Sequence, residues 1–244
     1  MDKRRVSIII SSFNEEENVK NIYNNIHINK EKYDYNISFI DDGSKDNTYN
    51  NLLELKEKDE HIKIIKFIHN FGHEACMIAG VDENSDSDYF IILDCDMQHP
   101  PKYIDEMLYK LDLGHDAVLM KRIENKSAGL IRNFFSNAYY RFINIFFKTK
   151  LYKGVSDFIA FDKSIASILR NKYRYKNRFM RFIVEKFSKN PAIIEYEAEK
   201  RYSGESKYSF IKYLKLAINS MKAVNKINKD IEINEVIYEI EKVV

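Results

Sequence analysis

The sequence predicts an α/β fold: a mostly parallel twisted sheet flanked by helices. Apolar runs of strand length recur at Val6–Ile10, Asn36–Ile40, Ile62–Ile68 and Phe90–Leu93. Each ends in a polar turn followed by apolar residues at helical spacing, and strand–helix alternation of this kind gives parallel pairing through crossover helices. The runs are also continuous, as expected of strands covered on both faces.

Bulk properties bound the function. A chain of 244 residues with 45% hydrophobic content can bury a real core in one or two modest domains. Lys plus Arg total 39 against 37 acids, a net charge of +2, and nothing there calls for a nucleic-acid partner. Basic residues concentrate between Lys121 and Arg181, so an anionic partner would be local to that region. Cys76 and Cys95 have no metal or redox spacing and suggest a reduced compartment. The charged start followed by Val6–Ile10 is too short for a signal peptide. No stretch reaches the roughly 18 uninterrupted apolar residues of a transmembrane helix, and a cytoplasmic location is expected.

Val6–Ile10 leads into Ser11-Ser12-Phe13-Asn14 and Glu15-Glu16-Glu17. Asn14 is a candidate N-cap, and the glutamates suit the positive end of a helix carrying Ile22 and Ile26. Asn36–Ile40 ends in Asp41-Asp42-Gly43-Ser44-Lys45-Asp46. Gly43 permits a tight turn, and Asp46 or Ser44 can cap the helix of Leu52, Leu53 and Leu55. Turn chemistry explains adjacent Asp41 and Asp42 poorly; a carboxylate here could accept hydrogen bonds from a nucleobase or ribose. Ile62–Ile68 precedes His69-Asn70-Phe71-Gly72, and Gly72 opens a helix with Met77, Ile78 and Val81. His73 reads as an exposed first-turn residue, with a ligand contact as the alternative.

The run Phe90–Leu93 ends in Asp94-Cys95-Asp96-Met97-Gln98-His99-Pro100-Pro101. If the backbone stays extended, positions 94, 96 and 98 share one side. Asp94, Asp96 and Gln98 would then offer hard oxygens suited to Mg²⁺ or Mn²⁺. The alternative is an acidic strand end that caps the next helix. Pro101 suits the first turn of a helix carrying Ile104, Met107, Leu108 and Leu111. Ala117–Met120 is a further strand, ending in Lys121-Arg122.

Beyond Arg122 the character changes. Leu130–Phe147 is aromatic and basic, consistent with a core helix or with a helix lying on a membrane surface. Val155–Phe161 carries a lone acid, Asp157, and Ile193–Tyr196 is a late strand. Arg201 and Lys207 flank a Gly turn, an arrangement that can grip phosphate. Ile211–Val224 and Ile231–Val244 read as two final helices. The second has an apolar face (Ile231, Ile233, Val236, Ile237, Ile240) that a homo-oligomeric partner could cover.

Taken together, Ser12–Glu16, Asp41–Ser44, Asn70–Gly72, Asp94–Pro101, Ser156–Phe158 and Arg201–Tyr208 resemble glycosyltransferase family 2. The resemblance is nearest to its polyprenyl-phosphate branch, which includes dolichol-phosphate mannose synthases and undecaprenyl-phosphate glucosyltransferases. It implies a GT-A fold over residues 1–208, with a Rossmann-like nucleotide-sugar-binding half (1–122) and a short acceptor half (123–208). Residues 209–244 would form a helical extension. It implies that Asp94, Asp96 and Gln98 hold Mg²⁺ or Mn²⁺ on the diphosphate of a UDP- or GDP-linked sugar. Asp42 or Asp41 would contact the nucleobase beside Phe13, Asn14 and Glu15, with Gly72, Cys95 and Arg122 also on the donor. Arg132 and Ser206 fall to the acceptor phosphate, and Asp157, Arg201 and Lys207 to catalysis. Three departures stand out: Ile159 where the family has Arg after Asp-Phe, His69 where Arg often precedes Asn-Phe-Gly, and a charged terminal segment where relatives continue into transmembrane helices.

The expected reaction is inverting, metal-dependent glycosyl transfer to a polyprenyl phosphate, with peripheral contact at the cytoplasmic face of a membrane. A phosphate acceptor is already ionised near neutrality and needs positioning by Arg and Lys. A hydroxyl of a soluble glycan or protein would need a base, for which Asp157 is the candidate. A non-catalytic sugar-nucleotide-binding protein and a haloacid-type phosphatase are the rivals from other classes.

Overall fold

Apolar residues at consecutive positions need cover on both faces of a strand, and the sheet supplies it. The computed structural model describes residues 3–123, 141, 143–145, 151–174, 179–197, 219, 221–227, 229, 235 and 237–244. Strand β1 (Arg4–Ser12) is followed by α1 (Val19–Asn25), β2 (Tyr33–Asp41), α2 (Thr48–Lys56), β3 (Ile62–Phe67), α3 (His73–Glu83) and β4 (Tyr89–Asp94). A 3₁₀ turn (Pro101–Tyr103) starts α4 (Ile104–Asp112), and β5 (Ala117–Arg122) closes this half. Then come β6 (Val155–Asp162), α5 (Lys163–Asn171), α6 (Met180–Phe187), β7 (Pro191–Tyr196) and β8 (Ile240–Val243).

Among the described residues the strands form one sheet in the order β7-β5-β6-β4-β1-β2-β3-β8. β1 pairs parallel with β2 and β4, β2 with β3, and β5 with β7, while β6 and β8 run antiparallel to their neighbours. Ile8 and Ile10 enter one core with Phe39, Leu52 and Leu108; Ile9 points to the other face, with α3, Phe90 and Ile183. Gly80 allows α3 to lie close on β1, because a Cβ there would collide with the Ile9 side chain. That contact fixes the height at which the start of α3 meets the strand ends.

The last expected helix is corrected. Residues 237–239 are not helical, and β8 adds an antiparallel strand to β3. Val244 and Ile64 exchange both backbone hydrogen bonds at 2.9 Å. The physical reason is the edge of β3, whose unpaired N–H and C=O groups are satisfied by a strand and not by a helix. Tyr238 stacks on Phe67 (ring centroids 5.4 Å) and donates to Asp82 at 2.6 Å, where Arg174 also binds. Ile237 is buried within its own chain, so it does not lie on an open face for a partner. Residues 221–224 are helical as expected and the helix runs on to 227, with Ala223, Val224 and Ile227 buried. Of Leu130–Phe147 only 141 and 143–145 are described, with Ile143 in the core; the rest lies outside the described residues. No described helix is long and apolar enough to cross a membrane.

Candidate active site at the carboxyl edge of the sheet

The strand order reverses at β1, which has β2 on one side and β4 on the other. Helices leaving the two sides diverge, and a crevice opens above the carboxyl ends of these strands. Register then decides which side chains meet there. Ser11 pairs with Asp94 and Ser12 with Asp41. Antiparallel β6 pairs Ile159 with Ile92, so continuing that register by two residues brings Asp157 opposite Asp94. The lone acid of β6 and the first acid of the Asp94–Gln98 turn thus reach one crevice from strands running in opposite directions.

His73, at the first turn of α3, bridges them. Its Nδ1 lies 2.9 Å from Ser11 Oγ and 3.5 Å from Asp94 Oδ1, and its Nε2 lies 3.9 Å from Asp157 Oδ2. Burial disfavours its charged form, but Asp94, Asp157, Glu74 and Asp42 outweigh that and raise its pKa above the usual histidine value. Its side chain is 34% exposed, so this is a half-buried site residue and not the exposed helix-start residue expected from spacing. Asp157 Oδ1 is buried and has no hydrogen-bond partner among the described residues.

The extended alternation expected for 94, 96 and 98 does not occur. β4 ends at Asp94, the chain turns at Cys95, and Met97 takes φ +66°. A left-handed residue bends the chain, so any convergence of these side chains comes from a tight turn and not from strand pleating. Gln98 N–H donates to Asp96 Oδ1 at 3.0 Å. His99 holds the turn from below: its Nδ1 accepts the Asp94 N–H at 3.0 Å, and its ring stacks on Phe158. Cys95 is buried, and burial with the nearby Glu15 charge pushes its thiol well up, so its side chain serves packing.

The β1 and β2 loops are stitched together. Asn14, at φ +53°, is not the N-cap of α1; its N–H donates to Ser44 Oγ and its Oδ1 accepts the Lys45 N–H. Glu15 N–H donates to Thr48 Oγ1, and Glu16 accepts the Asn47 N–H, so Glu16 serves the start of α2 and not α1. Asp46 accepts from both Thr48 N–H and Thr48 Oγ1, while Ser44 is used by Asn14. Gly43, at φ +69°, passes so close to the His69 backbone that a Cβ would lie 2.6 Å from its carbonyl carbon. Asp42 is committed to this junction: its carboxylate accepts from Phe71 N–H (2.6 Å), Gly72 N–H (2.9 Å) and Asn70 Nδ2 (2.8 Å). Asp41 accepts the Ser44 N–H through Oδ1, and its buried Oδ2 has no hydrogen-bond partner among the described residues. Burial pushes both carboxyls up.

The structure therefore brings Asp94, Cys95, Asp96, Gln98, Asp157, Asp41 and the Phe13–Glu15 segment to the carboxyl edge, with Asp42 and Gly72 in the adjoining loop junction. Arg122 is exposed at the end of β5, farther along the rim toward Tyr196. Arg132, Arg201, Ser206 and Lys207 lie outside the described residues. Sequence reasoning missed Ser11 and His99 and misplaced His73. The one available signal was position: Ser11 lies at the carboxyl end of β1 and His73 at the start of α3.

The Asp94–Gln98 donor set is two carboxylates and a carboxamide, all hard oxygens, and Asp94 keeps 33% of its side chain open. This chemistry fits Mg²⁺ or Mn²⁺. Among the described residues no three His, Cys, Asp or Glu side chains close into a metal cage, so a cation here would share its shell with ligand oxygens or water.

Glycosyl transferase family 2 matches residues 7–173. A putative glycosyltransferase, CsbB of Bacillus subtilis, is 35% identical over 86% of this chain, which spans 64% of that relative's length. The bactoprenol glucosyl transferase of Shigella phage SfV is 29% identical over 89% of this chain and 71% of its own. Among solved structures, glucosyl-3-phosphoglycerate synthase from Mycobacterium tuberculosis, in complex with Mn²⁺ and UDP-glucose, aligns with a TM-score of 0.59 at 11% identity. That alignment covers 92% of this chain and 79% of the other, and the shared architecture is GT-A.

Proposed function

The chain belongs to glycosyl transferase family 2, and from that premise we propose that it transfers a sugar from a nucleoside-diphosphate sugar to a polyprenyl phosphate. The observation that carries the reading is the crevice where Asp94 and Asp157 face each other across β4 and β6 with His73 between them. The similarity to a bactoprenol glucosyl transferase supports the lipid-phosphate acceptor, and the likeness to a UDP-glucose complex supports a UDP-linked donor.

In this reading the nucleobase sits by Phe13–Glu15, and Asp41 Oδ2 accepts one of its N–H groups. Asp94, Asp96 and Gln98 would hold Mg²⁺ or Mn²⁺, which supplies charge neutralisation for the departing nucleoside diphosphate. Arg132, Arg201, Ser206 and Lys207 bind the acceptor phosphate and align its oxygen behind the anomeric carbon, so configuration inverts. His73 keeps Asp157 and Asp94 in register. The acceptor arrives at a membrane surface through peripheral contact of the aromatic, basic stretch 130–147.

A second reading has a specific observation in its favour. Asp157 Oδ1 is buried without a hydrogen-bond partner among the described residues, and such an oxygen can take a proton from a sugar or protein hydroxyl. The two acceptors separate by mutation. Arg201→Ala abolishing transfer while Asp157→Asn spares it favours phosphate; the reverse favours hydroxyl. The function itself is tested by a thermal-shift panel of nucleoside diphosphates and their sugars with and without Mn²⁺. Metal-dependent stabilisation by a sugar nucleotide, followed by transfer to polyprenyl phosphate in vesicles, is the expected result. No donor that stabilises the fold would refute it.

A further inference from the structure

Below Asp157, α6 presents a buried pair that the proposed reaction does not use. Glu185 has a side chain only 1% exposed. Its Oε2 accepts the Tyr152 N–H at 2.9 Å, and its Oε1 faces Arg181 Nε at 3.6 Å without a hydrogen-bond partner among the described residues. Arg181, one helical turn earlier, donates through Nη1 to the Val155 carbonyl, and its guanidinium lies over the Phe179 ring. The pair therefore fastens both ends of residues 152–155, the segment that enters β6 just before Asp157. Glu74 of α3 docks the start of α6 by accepting the Met180 N–H.

We propose that Arg181 and Glu185 are positioning residues for Asp157: they fix the backbone from which it projects, and the charge on Glu185 is felt at its carboxylate. The part that concerns turnover rests on the hydroxyl-acceptor reading given above, in which Asp157 takes the proton. The charged groups around Glu185 are Arg181 from its own helix and Asp157 from β6; from α3, His73 faces Asp157 and Glu74 caps α6. Burial pushes the Glu185 carboxyl up to about 7, with Arg181 and the Tyr152 N–H pulling it down and Asp157 adding to the rise. Near neutrality Glu185 thus passes from neutral to anionic. The anion then repels Asp157, whose unpartnered Oδ1 has no fixed bond among the described residues to resist displacement.

Asp157 reports this directly. Carboxyl ¹³C NMR of the labelled chain, with Asp157 assigned by comparison with Asp157→Asn, should show in the wild type a pH step near neutrality that tracks Glu185. Glu185→Gln keeps an acceptor for Tyr152 and should remove that step, leaving any step owed to His73, whose Nε2 lies 3.9 Å from Asp157. A wild-type Asp157 signal that does not shift near neutrality overturns the proposal, and so do superimposable Asp157 profiles in the wild type and Glu185→Gln. In turnover, wild-type kcat should fall as pH rises through the Glu185 step, while Glu185→Gln stays within about twofold with donor KM unchanged. Superimposable kcat profiles overturn the positioning role. Absence of sugar transfer by the wild type at any pH removes the function reading instead, because the Asp157 signal decides the coupling by itself. A melting series adds a check with its own sign. A carboxyl raised from 4.5 to about 7 on folding gives stability that is full below 4.5 and lost as pH rises through about 7. Glu185→Gln should lack that decline.

Discussion

Asp42→Asn separates a structural acid from a ligand-binding one. The wild-type carboxylate is 3% exposed and accepts three N–H groups, two from the backbone of Phe71 and Gly72 and one from Asn70. An amide of the same shape offers one oxygen, so at least one donor is left facing an NH₂ group in a half-buried junction. Each hydrogen bond to a charged acceptor contributes about 1.5–3 kcal/mol, and a buried donor without a partner costs a similar amount. Allowing for relaxation, the loss should be about 2–4 kcal/mol. For a chain of this length that lowers the melting temperature by roughly 5–15 °C. Asp41→Asn is the control: Asp41 Oδ2 has no hydrogen-bond partner among the described residues to lose. Its variant should melt near the wild type but bind the nucleotide roughly 10–100-fold more weakly, the equivalent of one charged hydrogen bond. Thermal melts and nucleotide titrations on both variants decide the matter. If Asp42→Asn melts within about 2 °C of the wild type and loses nucleotide instead, the junction has been misassigned and Asp42 is the nucleobase contact.

Three further outcomes are expected. His99→Ala removes the acceptor of the Asp94 N–H and the stack on Phe158; it should cost about 1–3 kcal/mol in a denaturant melt and weaken Mn²⁺-dependent stabilisation by nucleotide. Gly80→Ala forces a methyl into Ile9 and should destabilise by about 1–3 kcal/mol; an unchanged denaturation midpoint would mean α3 does not rest on β1 at that height. Tyr238→Phe deletes one hydrogen bond to Asp82 while keeping the stack on Phe67, a loss of about 1 kcal/mol visible as faster amide exchange in β8 and unchanged exchange in β1.

The apolar runs of β1 to β4 were legible in the sequence because a strand covered on both faces needs consecutive large side chains, and few other local structures do. Acids just past those runs were legible as a carboxyl-edge site for the same reason: parallel strands all deliver their ends to one side. Local pattern stopped being informative where pairing is long-range. The apolar spacing of 231–244 suits a helix, but the open edge of β3 offered bonds that only a strand could complete. Asp94 and Asp96 were read by strand pleating, whereas Met97 bends the chain and a turn sets their places. Asp42 was read as a ligand contact from its place past β2, and nothing local showed the three N–H groups that residues 70–72 bring to it.

What the sequence alone determined is therefore the composition of the crevice: which strands supply an oxygen and at which end. Tertiary structure alone decided who faces whom. Asp157 meets Asp94 only because β6 runs antiparallel at one particular register, and His73 reaches both only because Gly80 lets α3 settle on Ile9. Backbone periodicity is encoded within a few residues, but register and helix height are fixed by contacts between segments far apart in the chain.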